Sequence, residues 1–203
     1  MRSGLRWLSF AGLCLWAFPA AGAEVPPMGP QMPTLVTYHI VNQQDQVPPD
    51  FSVLFAPGGR AARISFAGQA GYMLVDAARH RLIMVMDQPA ISVEIPTPKL
   101  FAPYFEWRDT VAFTRGAPGF AAGQPCRYWI AREGRGSGQI CFTADGVPLR
   151  IEAVSKKAAR TDIEALSIQP EPYDPAQFEV PADHPKLDLK GLNLSPFGGL
   201  KGN

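Results

Sequence analysis

Residues 124–154, QPCRYWIAREGRGSGQICFTADGVPLRIEAV, decide the fold because they read as three strands separated by two turns. Aromatic and β-branched side chains surround Cys126 and Cys141, and a glycine-rich stretch lies between the two cysteines, as in a β-hairpin. The Asp-Gly pair before the third strand is typical of a tight turn. Pro148 has no N–H for a ladder hydrogen bond, so it indicates an edge position or a β-bulge. The stretch predicts an antiparallel meander.

Cys126 and Cys141 are predicted to form a structural disulfide. Cys14 lies in an N-terminal apolar run and is expected to be removed with it, which leaves two thiols, and two thiols in a small exported domain usually pair. A redox-active pair is the alternative, but it would favour C-x-x-C spacing or a neighbouring His or Lys that lowers a thiol pKa. If Cys126 stands opposite Cys141, the tip of the hairpin falls at Glu133 and Gly134.

The N-terminus predicts a secretory signal peptide. Two arginines precede the apolar residues 7–18, and small residues at 21–23 form an A-x-A pattern, so cleavage is expected between Ala23 and Glu24. The apolar run is shorter than the roughly 20 residues that cross a bilayer, and a buried N-terminal helix would leave the A-x-A pattern unexplained. We therefore expect a periplasmic protein, with secretion as the alternative, and no transmembrane segment in the mature chain.

Composition divides the chain into four parts. Residues 1–23 are the signal peptide, and residues 24–33 form a proline-rich arm. Residues 34–180 are expected to form a single domain, because this length is ample for one core. Residues 181–203 are rich in glycine and are expected to be a flexible tail.

Alternation and evenly spaced turns predict a mainly β domain. Val36, Tyr38 and Ile40 alternate with polar residues, which is a strand signature. Turn signals then recur about every 8–12 residues, the spacing of all-β proteins. Two of them fall at residues 77–80 and at Gln88-Pro89, and a final strand is expected near residues 162–168.

The segment KLFAPYFEWR, residues 99–108, breaks this alternation. It crowds apolar and aromatic side chains into a short span, and Pro103 argues against a long helix. We therefore expect a short helix or an aromatic-rich loop that plugs one open face of the sheet. This plug either fills the core or forms a lid over an apolar pocket.

Charge and motifs give no sign of catalysis, metal binding or nucleic-acid binding. Lys and Arg number 19 and Asp and Glu 18, so nothing favours a nucleic acid or an anionic membrane surface as partner. His39, His80 and His184 lack metal-ligand spacing. No nucleophile elbow surrounds Ser65 or Ser92. We expect no catalytic residue, no metal and no cofactor.

Several segments, in this order, resemble a group of exported proteins of Gram-negative bacteria that carry a domain of unknown function. They are residues 74–76, 78–81, 84–86, 122–129, 141–150 and 174–181. The Cys-x-x-Trp motif at 126–129 and the Cys-Phe-Thr-Ala-Asp-Gly-Val motif at 141–147 are the most specific, although Pro148 replaces the apolar residue usual in the group. The resemblance covers most of the chain from Thr34 to Pro181.

That domain is similar to the Lol-type outer-membrane lipoprotein carriers (LolA and LolB). The resemblance implies a curved antiparallel half-barrel covered by short helices, located in the periplasm. It also implies that an acyl chain or another apolar ligand lies between the sheet and an aromatic lid. This implication is an analogy between folds, and one fold can host many functions.

The function prediction is a non-enzymatic periplasmic protein that binds or carries a lipid or another apolar ligand in the concave face of the sheet. The residues predicted to line that face are apolar, and they are Val36, Tyr38, Ile40, Phe66, Met84, Phe101, Tyr104, Phe105 and Trp107. The alternative is an envelope interaction or assembly factor with a filled core, whose partner is another envelope protein. An open cavity favours the first function, and a solid core favours the second.

Overall fold

The computed structural model describes residues 25–41, 50–95, 111–133, 136–154 and 160–187. The predicted signal peptide with its cleavage site at Ala23 and Glu24 lies outside these residues. The predicted plug at residues 99–108 also lies outside them, and with it four of the predicted lining residues, Phe101, Tyr104, Phe105 and Trp107.

One sheet of 12 strands makes up the described part of the chain. In chain order the strands are β1 Thr34–Ile40, β2 Asp50–Phe55, β3 Ala61–Phe66, β4 Tyr72–Asp76, β5 Arg81–Asp87, β6 Ala90–Ile95, β7 Ala112–Ala121, β8 Gln124–Glu133, β9 Gly136–Phe142, β10 Pro148–Val154, β11 Arg160–Pro170 and β12 Lys186–Leu187. Short 3-10 turns occupy Pro57–Gly59 and Pro175–Phe178.

Two antiparallel meanders are joined in the middle of this sheet. The strand order is β12-β6-β5-β4-β3-β2-β1-β11-β10-β9-β8-β7, so β1–β6 form one meander and β7–β11 the other. Antiparallel pairing of β1 with β11 connects them, from Thr34 opposite Pro170 to Ile40 opposite Ile163. Only the pairing of β12 with β6 is parallel among the described strands. The prediction of a mainly β, curved antiparallel sheet is confirmed, and the sheet is not closed.

Local turn signals place most strand ends where the sequence predicts them. The turns at residues 77–80 and at Gln88-Pro89 separate β4, β5 and β6. In contrast, β7 is a ten-residue strand that alternation does not predict. Gly116 and Pro118 interrupt its pattern, and the register with β8 shifts between Arg115 and Pro118. A proline and a bulge are tolerated here because β7 is an edge strand.

The predicted disulfide between Cys126 and Cys141 is confirmed, but its register differs from the expectation. The two Cα atoms are 5.5 Å apart. Tyr128, not Cys126, stands directly opposite Cys141, so the bridge runs diagonally between β8 and β9. The last ladder pair is Glu133 with Gly136, which moves the tip of the hairpin beyond the predicted position.

Register shifts bend the sheet, and one involves the proline that the sequence singled out. The register of β10 against β9 shifts between Pro148 and Arg150, as expected for a proline at a β-bulge. Another shift lies between Thr37 and Tyr38, where β1 pairs with β11. Bulges increase the local twist, and open sheets of this size curl. The Tyr38 hydroxyl donates to the Pro148 carbonyl at 2.8 Å, which ties β1 to the bulged strand.

The proline-rich arm lies against the end of the sheet where β2 stops and β10 begins. The Gly29 N–H donates to the Gly146 carbonyl at 3.1 Å, and the Gly58 N–H donates to the Pro30 carbonyl at 2.6 Å. A Cβ on Gly29 would lie 2.3 Å from the Gly59 Cα, so the backbones approach too closely for a side chain. The arm therefore connects the turn between β2 and β3 in the first meander to the turn between β9 and β10 in the second.

Replacing both Cys126 and Cys141 by Ala is expected to lower the free energy of unfolding by about 3 kcal/mol, because the bridge closes a loop of 15 residues. Urea unfolding of the mature protein under oxidising conditions measures the loss. The reduced wild-type protein serves as control and should unfold at the same urea concentration as the variant. A variant as stable as the oxidised wild type would contradict the structural role of the bridge.

Gly29→Ala is expected to destabilise the protein more than Gly123→Ala. Both glycines have a positive φ, 87° and 71°, and each substitution therefore costs about 1 kcal/mol of backbone strain. A Cβ on Gly123 would meet nothing within 4 Å, whereas a Cβ on Gly29 would meet the backbone of Gly59. Thermal unfolding should show about 2 kcal/mol of additional loss for Gly29→Ala. Equal losses would mean that the arm does not stabilise the domain.

Candidate functional site

Cross-strand register sorts the side chains of the sheet onto two faces. Residues directly opposite one another share a face, and successive residues alternate. One row crosses β1 to β6 and consists of Val36, Val53, Ile64, Met73, Met84 and Val93. A second row, on the same face, consists of Phe66, Phe51, Tyr38 and Ala165. These rows are apolar throughout, so we call this side of the sheet the apolar face.

Burial along the first row changes from one end to the other. Val36 has no exposed surface and Val53 is 6% exposed, but Met84 near the β6 edge is 37% exposed. Ile64 and Met73, between them, are half-buried. The row therefore runs from a closed core under β1 to a surface that solvent reaches. We call the half-buried and exposed residues Ile40, Phe51, Ile64, Phe66, Met73 and Met84 the open part of the apolar face.

Aromatic rings and methionines give the open part its chemistry. The rings of Tyr38 and Phe51 stack with centroids 5.3 Å apart, and the rings of Phe51 and Phe66 are tilted with centroids 5.9 Å apart. Met73 and Met84 stand opposite each other on β4 and β5. Methionine is flexible and polarizable, so it adapts to irregular apolar partners. This combination suits an apolar group of no fixed shape.

The structure brings the five described lining residues together on one face. Ile40, Phe66 and Met84 belong to the open part of the apolar face. Val36 and Tyr38 also lie on this face, but they are 0% and 3% exposed and already pack in the core. A ligand can therefore contact the first three directly, while the other two support the surface from beneath.

Sequence reasoning missed Phe51, Ile64 and Met73. For Phe51 and Ile64 the signal was present, because FSV at residues 51–53 and RISF at residues 63–66 alternate between apolar and polar residues as β1 does. What the sequence does not contain is the register that sets Phe51 beside Tyr38 and Phe66. Without that register each residue reads as ordinary core.

On β1, β2, β10 and β11 the opposite face carries polar residues that pair with one another. His39 and Asp50 are directly opposite, with Nδ1 and Oδ1 2.7 Å apart. Arg150 contacts the Asp162 carboxylate at 3.2 Å and the Glu152 carboxylate at 2.8 Å. Burial disfavours the charged guanidinium, but Asp162 and then Glu152 raise the pKa of Arg150 above its ordinary value. Arg150, Glu152 and Asp162 form a structural ion-pair network between β10 and β11.

The arrangement of these polar groups does not bring a nucleophile, a base and an orienting group into one hydrogen-bonded chain. Gln139 donates to Glu152 at 2.8 Å, which satisfies the second carboxylate oxygen. In the described residues, no group of three or more His, Cys, Asp and Glu side chains is close enough to hold a metal ion. Pairing of this kind stabilises neighbouring strands.

A groove of about 790 Å³ lies at the other end of the strands from the open part. The arm, the 3-10 turn after β2 and the turn before β10 line it, and the lining residues are Val25, Pro26, Pro27, Met28, Gly29, Gln31, Gly58, Ala144 and Asp145. Two of these lining residues are prolines and two are glycines, and Asp145 is the one charged residue among them. The groove offers little side-chain chemistry for specific recognition.

The C-terminal segment closes the β6 edge of the sheet. The Ser92 N–H donates to the Pro185 carbonyl at 3.0 Å, and Lys186 approaches Glu94 to 2.5 Å. Hydrogen bonds from Lys186 and then from Arg81 lower the pKa of Glu94 below its ordinary value. The segment was predicted to be a flexible tail from residue 181. Within that segment, Lys186–Leu187 form β12, which pairs with Ser92 and Val93 and covers this part of the β6 edge.

In the parts of the chain that the structure describes, no helix has the length and apolarity needed to cross a membrane. Comparisons with models of protein families and with curated proteins gave no match. Solved structures gave matches of low identity. The complex of MucA and MucB from Pseudomonas aeruginosa is 14% identical, with a TM-score of 0.47, over 75% of this chain and 57% of that one.

Two further structures are similar to the same extent. The crystal structure of MucB is 13% identical with a TM-score of 0.47, and covers 76% of this chain and 59% of that one. PNGF-II is 9% identical with a TM-score of 0.47, over 77% of this chain and 31% of that one. The chain thus spans less than two thirds of the length of each of these structures.

Proposed function

We propose that the protein is a non-enzymatic periplasmic protein that holds a lipid acyl chain, or a similar apolar ligand, against the open part of the apolar face. The observation that carries this proposal is the row from Val36 to Met84. It begins in a closed core and ends at a side chain that is 37% exposed, without a polar residue in between. Contiguous exposed apolar surface is unusual on a soluble protein and marks a binding surface.

The energetics of such a site favour an alkyl chain. Each methylene group removed from water stabilises the complex by about 0.8 kcal/mol. An alkyl chain that places several methylenes against Phe51, Phe66 and Met84 therefore gains enough free energy to bind without any hydrogen bond. Association also costs translational and rotational freedom, so a short alkyl group is expected to bind weakly and a long one more tightly.

Location in the periplasm rests on two observations. The sequence predicts a signal peptide cleaved between Ala23 and Glu24. The bridge between Cys126 and Cys141 is of the kind that persists in oxidising compartments. A lipid carrier in that compartment also has a clear physical purpose, because an acyl chain crosses water between two membranes only when a protein shields it.

The absence of an enzymatic role is part of the proposal. The charged residues opposite the apolar face, such as Arg150 and Asp162, are engaged with each other in ion pairs. Serine and histidine side chains there also have structural partners, as in the contact between His39 and Asp50. Binding through apolar surface needs none of these groups to react.

A second candidate function is docking of an envelope protein at the β7 edge. The sheet order places β7 at an edge, and Phe120 on this strand is 69% exposed. An extended segment of a partner can add to such an edge by main-chain hydrogen bonds. The bulge between Arg115 and Pro118 limits that pairing to part of the strand.

Met84→Lys is expected to weaken ligand binding by roughly tenfold, because it removes apolar contact and brings a charge to the open part, a loss of about 1.4 kcal/mol. A titration of the mature protein with a fluorescent fatty acid measures the dissociation constant. Met32→Lys is the matched control, since Met32 is 64% exposed and lies on the arm, away from the sheet face. This control should bind like the wild type.

Native mass spectrometry of the mature protein from periplasm provides an independent measurement. A bound lipid that Met84→Lys loses and Met32→Lys keeps would agree with the proposal. Equal binding by all three proteins would place the ligand elsewhere. No binding of any fatty acid, together with specific capture of an extended envelope peptide, would favour the second candidate.

A further inference from the structure

Trp129 is buried on the apolar face, and the described residues provide no acceptor for its indole N–H. The residue is 5% exposed, and its indole Nε1 has no hydrogen-bond partner among the residues that the structure describes. Its surroundings are apolar: Trp129 packs with Ile140 and Phe142, and the partly buried Phe113 and Ile151 lie against them. The described side chains around the indole N–H are thus apolar and provide no acceptor.

An enclosed indole N–H without an acceptor is unfavourable. A buried donor that loses its bond to water and gains no other costs about 1–3 kcal/mol, and a buried Trp N–H usually finds a partner. Groups of this kind in a folded protein call for an explanation, such as a water molecule or a ligand. A ligand oxygen would satisfy the donor.

The position of Trp129 in the sheet connects this donor to the proposed ligand site. A third cross-strand row on the apolar face consists of Trp129, Ile140, Ile151, Ile163 and Ile40. Ile40 belongs to the open part and alternates with Tyr38, which stacks on Phe51. Four isoleucines therefore lead from the indole to the aromatic rings without a polar interruption.

The length of this isoleucine row suits a long acyl chain. The row crosses from β8 to β1, which are separated by four strand spacings in the sheet order. At about 4.8 Å per spacing this is about 19 Å, comparable to the length of an extended long-chain fatty acid. Isoleucine side chains along the whole distance would cover the chain with apolar surface.

A positive charge completes the row beyond the indole. Arg115 on the edge strand β7 is the residue directly opposite Trp129, so both share the apolar face. Arg115 is exposed. Reading from the sheet edge inward, the row presents a cation, an N–H donor and then four isoleucines. The order matches a fatty acid, which has an anionic head and an apolar chain.

We propose that Trp129 and Arg115 form the head-group site for the carboxylate of a fatty acid whose chain runs along the isoleucine row toward Ile40. The inference rests on the proposed function and adds the orientation and the head-group class of the ligand. The indole N–H donates to one carboxylate oxygen, and the Arg115 guanidinium offers charge-assisted contact to the same group. Shielding from water strengthens a bond to the indole because the local dielectric is low.

The indole N–H can be observed directly. After signal-peptide removal the chain has two tryptophans, Trp107 and Trp129, so a ¹H–¹⁵N spectrum of the mature protein has two indole signals. The signal lost in Trp129→Phe identifies Trp129. Addition of palmitate should shift this signal downfield, whereas hexadecane, which has no acceptor, should not produce that shift.

Affinities provide the second readout. Trp129→Phe removes the N–H and keeps an aromatic ring, and it should weaken palmitate binding by about tenfold. Arg115→Gln should weaken palmitate by a similar factor and leave methyl palmitate nearly unchanged, because the ester has no charge. The matched control is Arg132→Gln, since Arg132 is exposed on the neighbouring strand but lies on the opposite face. It should bind palmitate like the wild type.

The outcomes separate this inference from the proposed function. One outcome is that palmitate binds while the Trp129 indole signal stays in place and Trp129→Phe and Arg115→Gln bind it like the wild type. In that case the head-group site is wrong, and the ligand site on the open part stands. An indole signal that is unchanged because a water molecule already serves as acceptor contradicts the head-group site equally. If neither palmitate nor its ester binds, the proposed function fails and the head-group site with it. Should Trp129→Phe not fold, the wild-type indole shift and Arg115→Gln decide alone.

Discussion

The antiparallel pairing of β1 with β11 is the contact on which the rest of the sheet depends. Each meander, β1–β6 and β7–β11, forms from neighbours in sequence, but these two strands are more than a hundred residues apart. Their ladder places β1 in the middle of the sheet, between β2 and β11. The side chains of β1 that face the core, Val36 and Tyr38, are consequently among the most buried in the protein.

This central ladder also explains why the apolar face continues from the first meander into the second. Val36 continues the row of the first meander, and Ile40 continues the isoleucine row of the second. A shift of one residue between β1 and β11 would set the apolar rows of one meander against the polar face of the other. Burial of the apolar rows therefore favours this register over registers shifted by one residue. The apolar face common to both meanders is the result.

The ends and edges of the sheet are protected in different ways. The arm connects the two meanders at one end through the close approach of Gly29 to Gly59 and Gly146. The C-terminal segment adds β12 to the β6 edge through Ser92. The β7 edge has no such cover in the described chain, but its bulge and Pro118 discourage pairing along the whole strand. The proposed head-group site lies beside this second edge, where a charged residue is compatible with solvent.

The sequence by itself determined most strands, most turns and the disulfide. Alternation and turn residues such as Gln88-Pro89 are local signals, and two cysteines in an exported chain leave one pairing. Only the tertiary structure decided that β7 is a strand, that Tyr128 rather than Cys126 faces Cys141, and that Arg115 and Trp129 share one row with Ile40. The physical reason is that the pairing and register of distant strands depend on the burial of whole cross-strand rows of side chains. The sequence of a single segment therefore does not specify its partner strand or its register.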